Sequence, residues 1–330
     1  FIMLGGTLGW FQLLEWSLYD RLLEERPPEP IDERVVIVTI DETDINLVGD
    51  WPIPDRSLAE LLAKIRDRNP AAIGLDMYRD LPEEPGHKQL VSIFKSTPNL
   101  IGVEKAVGDN TVGPPPTLAK DDRVALADLV TDGDGKVRRA LILAGNKQGK
   151  LLTGLSTHLA LMYLEKRGIF LEEADIEQKY YRLDRALFKP LVNNIALYKN
   201  GEEDLAGYQI FLNYRGPAYS FKTITMRDVV SGKAFASNPN VLRDRIVLIG
   251  STAESTNDFF YTPYSRNDAR SDRSNQFKTS GVEIHANITS QILSAALEGR
   301  PLLEAWTKPQ EWVWVYVWSF ASAIGCWQVL

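Results

Sequence analysis

The chain has 330 residues, with 44% hydrophobic and 25% charged side chains, enough to bury one sizeable core and too apolar overall for a disordered chain. Its formal net charge of −7 excludes the broad basic field that nucleic-acid binding needs. A single cysteine, Cys326, excludes a disulfide framework and leaves the compartment undecided.

Phe1 to Leu14 carries no charge and reads as the cut-short end of a transmembrane helix, with residues 1–26 forming anchor and juxtamembrane segment. It lacks a basic leader and a small-residue cleavage site, which favours an anchor over a signal peptide. Pro27, Pro28 and Pro30 then make a stiff spacer. Val35 to Ile40 is a continuous β-branched run, the pattern of a strand buried on both faces, and it ends at Asp41-Glu42. Ser57 is placed to cap a helix whose Leu58, Leu61, Leu62 and Ile65 form an apolar stripe. Asn69-Pro70 stops it, and Ala71 to Leu75 forms a second strand ending at Asp76. This βαβ unit implies parallel pairing with a right-handed crossover.

The alternation continues. Leu90 to Phe94 predicts a short helix, Leu100 to Val103 a strand, and Asp132-Gly133-Asp134-Gly135 a turn feeding a strand from Val137 to Leu143. Leu155 to Leu164 predicts an apolar helix, and residues 172–204 a polar excursion without clear pattern. Tyr208 to Asn213 and Arg245 to Ile249 read as strands, with a short helix over Thr225 to Gly232 between them. Residues 265–280 read as a mobile polar loop, and Val282 to Leu297 as a last helix with Ile284, Ile288 and Ile292 on one side. Its Glu283, Asn287 and Gln291 form a polar stripe, expected to be a solvated or dimer face. Trp312 to Leu330 is a second uncharged run, with tryptophans suited to a membrane interface. The expected fold class is therefore α/β, a mostly parallel or mixed sheet flanked by helices and bracketed by transmembrane helices. The boundaries are 1–26, 27–308 and 309–330. Two spans place the intervening domain on one side of the membrane. No Lys/Arg cluster marks that side as cytoplasmic, which leans towards an outside location.

Ligands of open α/β sheets bind along the C-terminal ends of the strands. Asp41, Glu42, Asp76 and Ser251 fall there, and His285 opens the last helix. Converging carboxylates could hold a cation, an amine or a sugar, or act as acid and base. The opposing reading is that they cap neighbouring loops and helices, and it is the commoner use of a strand-end Asp. Asp132 to Gly135 lacks the further ligands of a calcium loop. Gly154-Leu155-Ser156-Thr157-His158 lacks the last glycine of a nucleophile elbow. Three scattered histidines, His87, His158 and His285, and no paired cysteine give no zinc spacing, so neither metal nor cofactor is expected.

Several segments taken together resemble the second type of CHASE domain, an extracellular sensory domain of bacterial cyclases, histidine kinases and serine/threonine kinases. They are Ile37 to Glu42, Gly49-Asp50-Trp51-Pro52-Ile53-Pro54-Asp55, Ala72 to Asp76, Asp132 to Arg139, Asn213 to Pro217, Ile246 to Ala253, Asp258 with Thr262-Pro263, and Gly281 to Asn287. The resemblance covers roughly Ile31 to Leu303; Ile53 stands where many members carry a second Trp. It implies a non-enzymatic input domain outside the membrane, with further spans and a cytoplasmic kinase or cyclase beyond Leu330. It supplies no ligand or catalytic residue. Candidate ligand-binding residues are thus Asp41, Glu42, Asp76, Ser251 and His285. The expected partners are the membrane, an unknown stimulus and a second copy of the chain as a homodimer, with no nucleic acid. A membrane-anchored metal-dependent hydrolase built on Asp41, Glu42 and Asp76, or an anchored docking domain, are the alternatives.

Overall fold

The computed structural model describes residues 9–329 apart from 109, 193–196, 199–203 and 266–277. Most of the loop expected to be mobile, and the first eight residues of the N-terminal apolar run, lie outside the described residues.

Six strands form one all-parallel sheet: β1 (Val35–Ile40), β2 (Ala72–Asp76), β3 (Leu100–Glu104), β4 (Val124–Leu126), β11 (Lys222–Thr225) and β12 (Ile246–Ser251). Their order is β11-β1-β12-β2-β3-β4. Connections β1 to β2, β2 to β3, β3 to β4 and β11 to β12 all step the same way across the sheet. Right-handed crossovers then put every connecting helix on one face. These are α3 (Asp55–Arg66), α4 (His87–Ser96), α5 (Pro116–Ala119) and α7 (Met226–Val230), and their Leu58, Leu62, Phe94, Leu118 and Val229 pack with Val36, Val38, Ile73 and Val247. Helix α3 begins two residues before the expected cap at Ser57, because Asp55 N–H donates to the Glu83 carbonyl and Pro54 precedes it.

The opposite face, lined by Val35, Ile37, Ile101 and Leu248, is covered by α6 (Leu155–Glu165) and α8 (Gly281–Glu298). Two glycines permit the close approach. A Cβ on Gly74 would lie 2.5 Å from Leu159, and one on Gly250 would lie 2.6 Å from Val282. Beside this core sit two antiparallel sheets. One joins β10 (Tyr208–Phe211), β5 (Arg139–Gly145) and β6 (Leu151–Thr153). The other, β7 (Glu172–Asp175), β8 (Tyr180–Leu183) and β9 (Ala186–Phe188), occupies the segment expected to be an unpatterned excursion. A two-residue pair, β13 (Phe259–Phe260) with β14 (Thr279–Ser280), leads into α8. A short helix α2 (Glu42–Val48) follows β1.

The polar stripe of α8 is buried, which corrects the expectation of a solvated or dimer face. Gln291 accepts from Asn213 N–H at 2.9 Å and donates to the Phe211 carbonyl at 2.9 Å. Asn287 accepts from Arg215 N–H at 3.0 Å, and Glu283 from Ser220 N–H at 2.9 Å. The chain from 211 to 220 has no strand on that side, so the helix side chains satisfy its backbone.

At the N-terminal end, α1 (Gln12–Glu24) turns Trp16, Asp20 and Leu23 inward and leaves Leu14, Leu18 and Leu22 exposed. Asp20 pairs with Arg138 at 2.7 Å, and Arg138 also reaches Asp132 at 2.9 Å and Asp134. The Asp-Gly-Asp-Gly turn thus closes on a fully buried arginine. No helix among the described residues is long and apolar enough to cross a membrane. The last helix, α9 (Lys308–Val329), has 22 residues. Its Trp312, Trp314, Trp318 and Trp327 are interface-seeking rather than core-seeking and lower its hydropathy.

Candidate functional site

The C-terminal ends of β2, β3 and β12 and the first turn of α8 enclose a cavity of about 650 Å³. Asp76, Ser251 and His285 line it; Asp41 and Glu42 do not. Asp41 instead caps α2, accepting from Asp44 N–H at 3.0 Å in a reciprocal capping box, and pairs with Arg227 at 2.7 Å. Glu42 accepts from Ser255 N–H at 2.7 Å. Ser251 is also engaged locally: its Oγ bonds Thr256 at 2.8 Å and accepts from Ala253 N–H at 3.1 Å.

Asp76 is different. Its side chain is 10% exposed, and it makes no hydrogen bond among the described residues. The nearest candidate partner is His285 Nε2, 3.9 Å from Oδ1. Burial alone pushes the Asp76 carboxyl up to about 7. Asp258, on the turn before β13, is likewise raised to about 7, chiefly by burial and further by the Asp76 charge. A Cβ on Gly281 would lie 2.7 Å from its Oδ2, so a larger residue at the start of α8 would have to displace this carboxyl. His285 is pushed down to about 4 by burial, with Asp258 opposing the shift. The imidazole is therefore neutral at physiological pH. Nδ1 lies 2.9 Å from Ser156 Oγ, within hydrogen-bond distance. Asp128 spends both carboxylate oxygens on backbone donors, Ala106 N–H at 2.9 Å and Val107 N–H at 3.0 Å.

Ser156, His285 and Asp76 stand in a line, as the members of a hydrolytic triad would. Ser156, in the first turn of α6, is nevertheless buried where that helix meets α8 and takes no part in the cavity wall, so no acyl carbon can reach its Oγ. Among the described residues no group of three or more His, Cys, Asp or Glu is placed to hold a metal ion. The other two histidines are accounted for by local bonds: His87 contacts Asp55 at 2.8 Å and His158 contacts Thr153 at 3.1 Å.

Asp258 entered the sequence reading only as part of a motif, and the cavity's aromatic residues Trp51, Tyr78 and Phe260 only in part. Nothing local marks them, because they arrive from three separate connections.

The second half of α8 holds both ends of the domain. Ser290 donates to Asp32 at 2.6 Å, and Ser294 accepts from Arg34 at 2.8 Å and from Arg215 at 2.6 Å. Arg300, just past the helix, bonds Glu29 through Nε at 3.0 Å and the Asn213 carbonyl at 3.0 Å.

No curated protein and no solved structure matches the chain. The family model for the CHASE2 domain matches residues 1–324, essentially the whole chain. The chain, with its parallel α/β core, thus belongs to the CHASE2 family of extracellular sensory domains.

Proposed function

We propose that the domain is the extracytoplasmic, periplasmic input domain of a bacterial transmembrane receptor, with the strand-end cavity as its input site. In this reading residues 27–308 form the sensor and 1–26 and 309–330 its anchors. The exposed Leu14, Leu18 and Leu22 of α1 and the exposed tryptophans of α9 support contact with a membrane or with a second copy in a homodimer. A kinase or cyclase module in the cytoplasm as the output is part of this proposal, and its support is the resemblance to the family alone.

The observation that carries the reading is the placement of α8. Its first turn lines the cavity, and its second half holds Asp32 through Ser290 and Arg300 through the Ser294 carbonyl, about 14 Å and about 20 Å along the axis from Gly281 at 1.5 Å per residue. A ligand that favours one arrangement of the first turn would shift the segments that lead to both anchors. It does so only through a difference in affinity between two arrangements. A thermal-shift screen of water-soluble metabolites against the wild-type chain and Asp76→Asn tests this. Stabilising compounds whose effect is lost in the variant are expected; compounds that stabilise both equally would move the input site elsewhere.

A further inference from the structure

We propose that the cavity receives a small organic ammonium ion, held by the Asp76 and Asp258 carboxylates against the Trp51, Tyr78 and Phe260 rings. The inference rests on the cavity being the input site and names the chemical class of what enters it.

Three observations lead there. First, Asp76 is nine-tenths buried and faces the cavity without a hydrogen-bond donor from the protein. Asp258 shares the cavity, and its carboxyl too has no donor among the described residues. A buried carboxylate without a partner is costly; a proton relieves it at and below neutral pH, and a cation does so where the group is ionised. Second, the protein's own cations do not fill the role. Arg79, also on the wall, is committed to the Ile53 carbonyl at 2.8 Å, the Tyr78 carbonyl at 3.2 Å and Asp55 at 3.6 Å. Lys105 lines both this cavity and its neighbour, and it forms no ion pair with Asp76 or Asp258 among the described residues. His285 is held neutral by burial. Asp128 and Asp204 add further negative charge, with Asp128 already bonded to backbone and Asp204 accepting from Ala206 N–H at 2.8 Å. Third, the cavity's size and walls suit an organic ion. A space of about 650 Å³ is far larger than a bare metal ion needs, and no metal-holding cluster exists among the described residues. Trp51 and Tyr78 are large aromatics left partly exposed at the cavity. Such rings attract ammonium groups through their faces and cover alkyl substituents. An acid–base reaction would need a reachable nucleophile, and Ser156 is not one.

Binding should also select the ionised carboxyls. With Asp76 and Asp258 both raised to about 7 by burial, an ammonium ion is expected to bind more tightly at pH 8 than at pH 6.

Isothermal titration calorimetry on the full chain tests the proposal with choline, putrescine, their neutral counterparts 3,3-dimethylbutanol and 1,4-butanediol, and calcium chloride. The expected result is saturable binding of choline or putrescine, tighter at pH 8, and weakened about tenfold or more in Asp76→Asn and in Asp258→Asn. The second variant keeps the test decisive if the first fails to fold. Failure of both amines to bind, or unchanged affinity in both folded variants, would overturn it. Equal binding of a neutral counterpart, lost in Asp76→Asn, would overturn the ammonium assignment and leave the input cavity standing. Tighter binding of calcium than of either amine would overturn it in favour of an inorganic cation.

Discussion

The Asp76 carboxyl and His285 Nε2 face each other at 3.9 Å, too far for a hydrogen bond, and burial keeps the imidazole uncharged. Asp76 therefore gains nothing from its neighbour that would offset desolvation, and its carboxyl rises from 3.8 to about 7. A carboxyl that holds its proton more tightly when folded adds stability in full below about pH 4, and that contribution disappears as pH rises through about 7. Asp76→Asn keeps the shape and removes the titration. Near pH 4 the variant should match the wild type, and at pH 8 it should be more stable by on the order of 2–4 kcal/mol. Urea denaturation across that pH range reads the difference, and parallel curves for the two proteins would contradict the assignment.

Arg138 should be among the costliest side chains to lose. It is fully buried, and it neutralises Asp20, Asp132 and Asp134 together. Arg138→Met leaves buried carboxylates without their common partner, which typically costs about 3–5 kcal/mol. Asp20→Asn is the milder probe: it should loosen α1 and speed amide exchange over Gln12 to Glu24 while the parallel sheet stays protected. Unchanged exchange in α1 would show that Trp16 packing against Tyr198 and Phe211 holds that helix without the ion pair.

Gln291 and Asn287 stand in for a missing strand, so their loss should be felt in the backbone they serve. Gln291→Ala orphans the Asn213 N–H and the Phe211 carbonyl, at about 1–3 kcal/mol for each unsatisfied group. Gln291→Glu keeps the acceptor for Asn213 and loses the donor to Phe211, and should fall between. Amide exchange at Asn213 checks the order of the three proteins. Equal exchange rates in all of them would mean that water replaces the side chain.

Gly281 sits under the Asp258 carboxyl, 2.7 Å from where a Cβ would be. Gly281→Ala should displace Asp258 from the cavity wall and lower its carboxyl towards the ordinary range as water reaches it. Carbon-13 NMR of the aspartate carboxyls follows that titration directly, and an unshifted Asp258 would show that the turn before β13 yields instead.

Much of this architecture is legible along the chain, because it is carried by local pattern. Val35 to Ile40 and Ile246 to Ser251 are apolar without alternation, since each strand is covered on both faces. The stop at Asn69-Pro70 and the glycine at 232 fall just past the ends of α3 and α7. The α8 stripe was misread because the same spacing of Glu283, Asn287 and Gln291 describes a solvated face and a buried one that caps foreign backbone. Asp41 and Asp76 both end strands, yet one caps a helix and the other faces the cavity. What separates them is Asp44, three residues on, which completes a capping box for Asp41. The pairing of Asp258 with Asp76 depends on β13 and β14 folding back beside α8, and no local pattern encodes that.

Hydrogen–deuterium exchange on the full chain at pH 8, comparing the wild type with Asp76→Asn, tests most directly whether α8 joins the cavity to the anchors. Neutralising Asp76 imitates the effect of a bound cation on the cavity's charge. The account predicts altered protection in the first turn of α8 and also at Asp32 to Arg34 and at Gly299 to Leu303, at the far end of the helix. A change confined to the cavity wall, with the far end untouched, would contradict it.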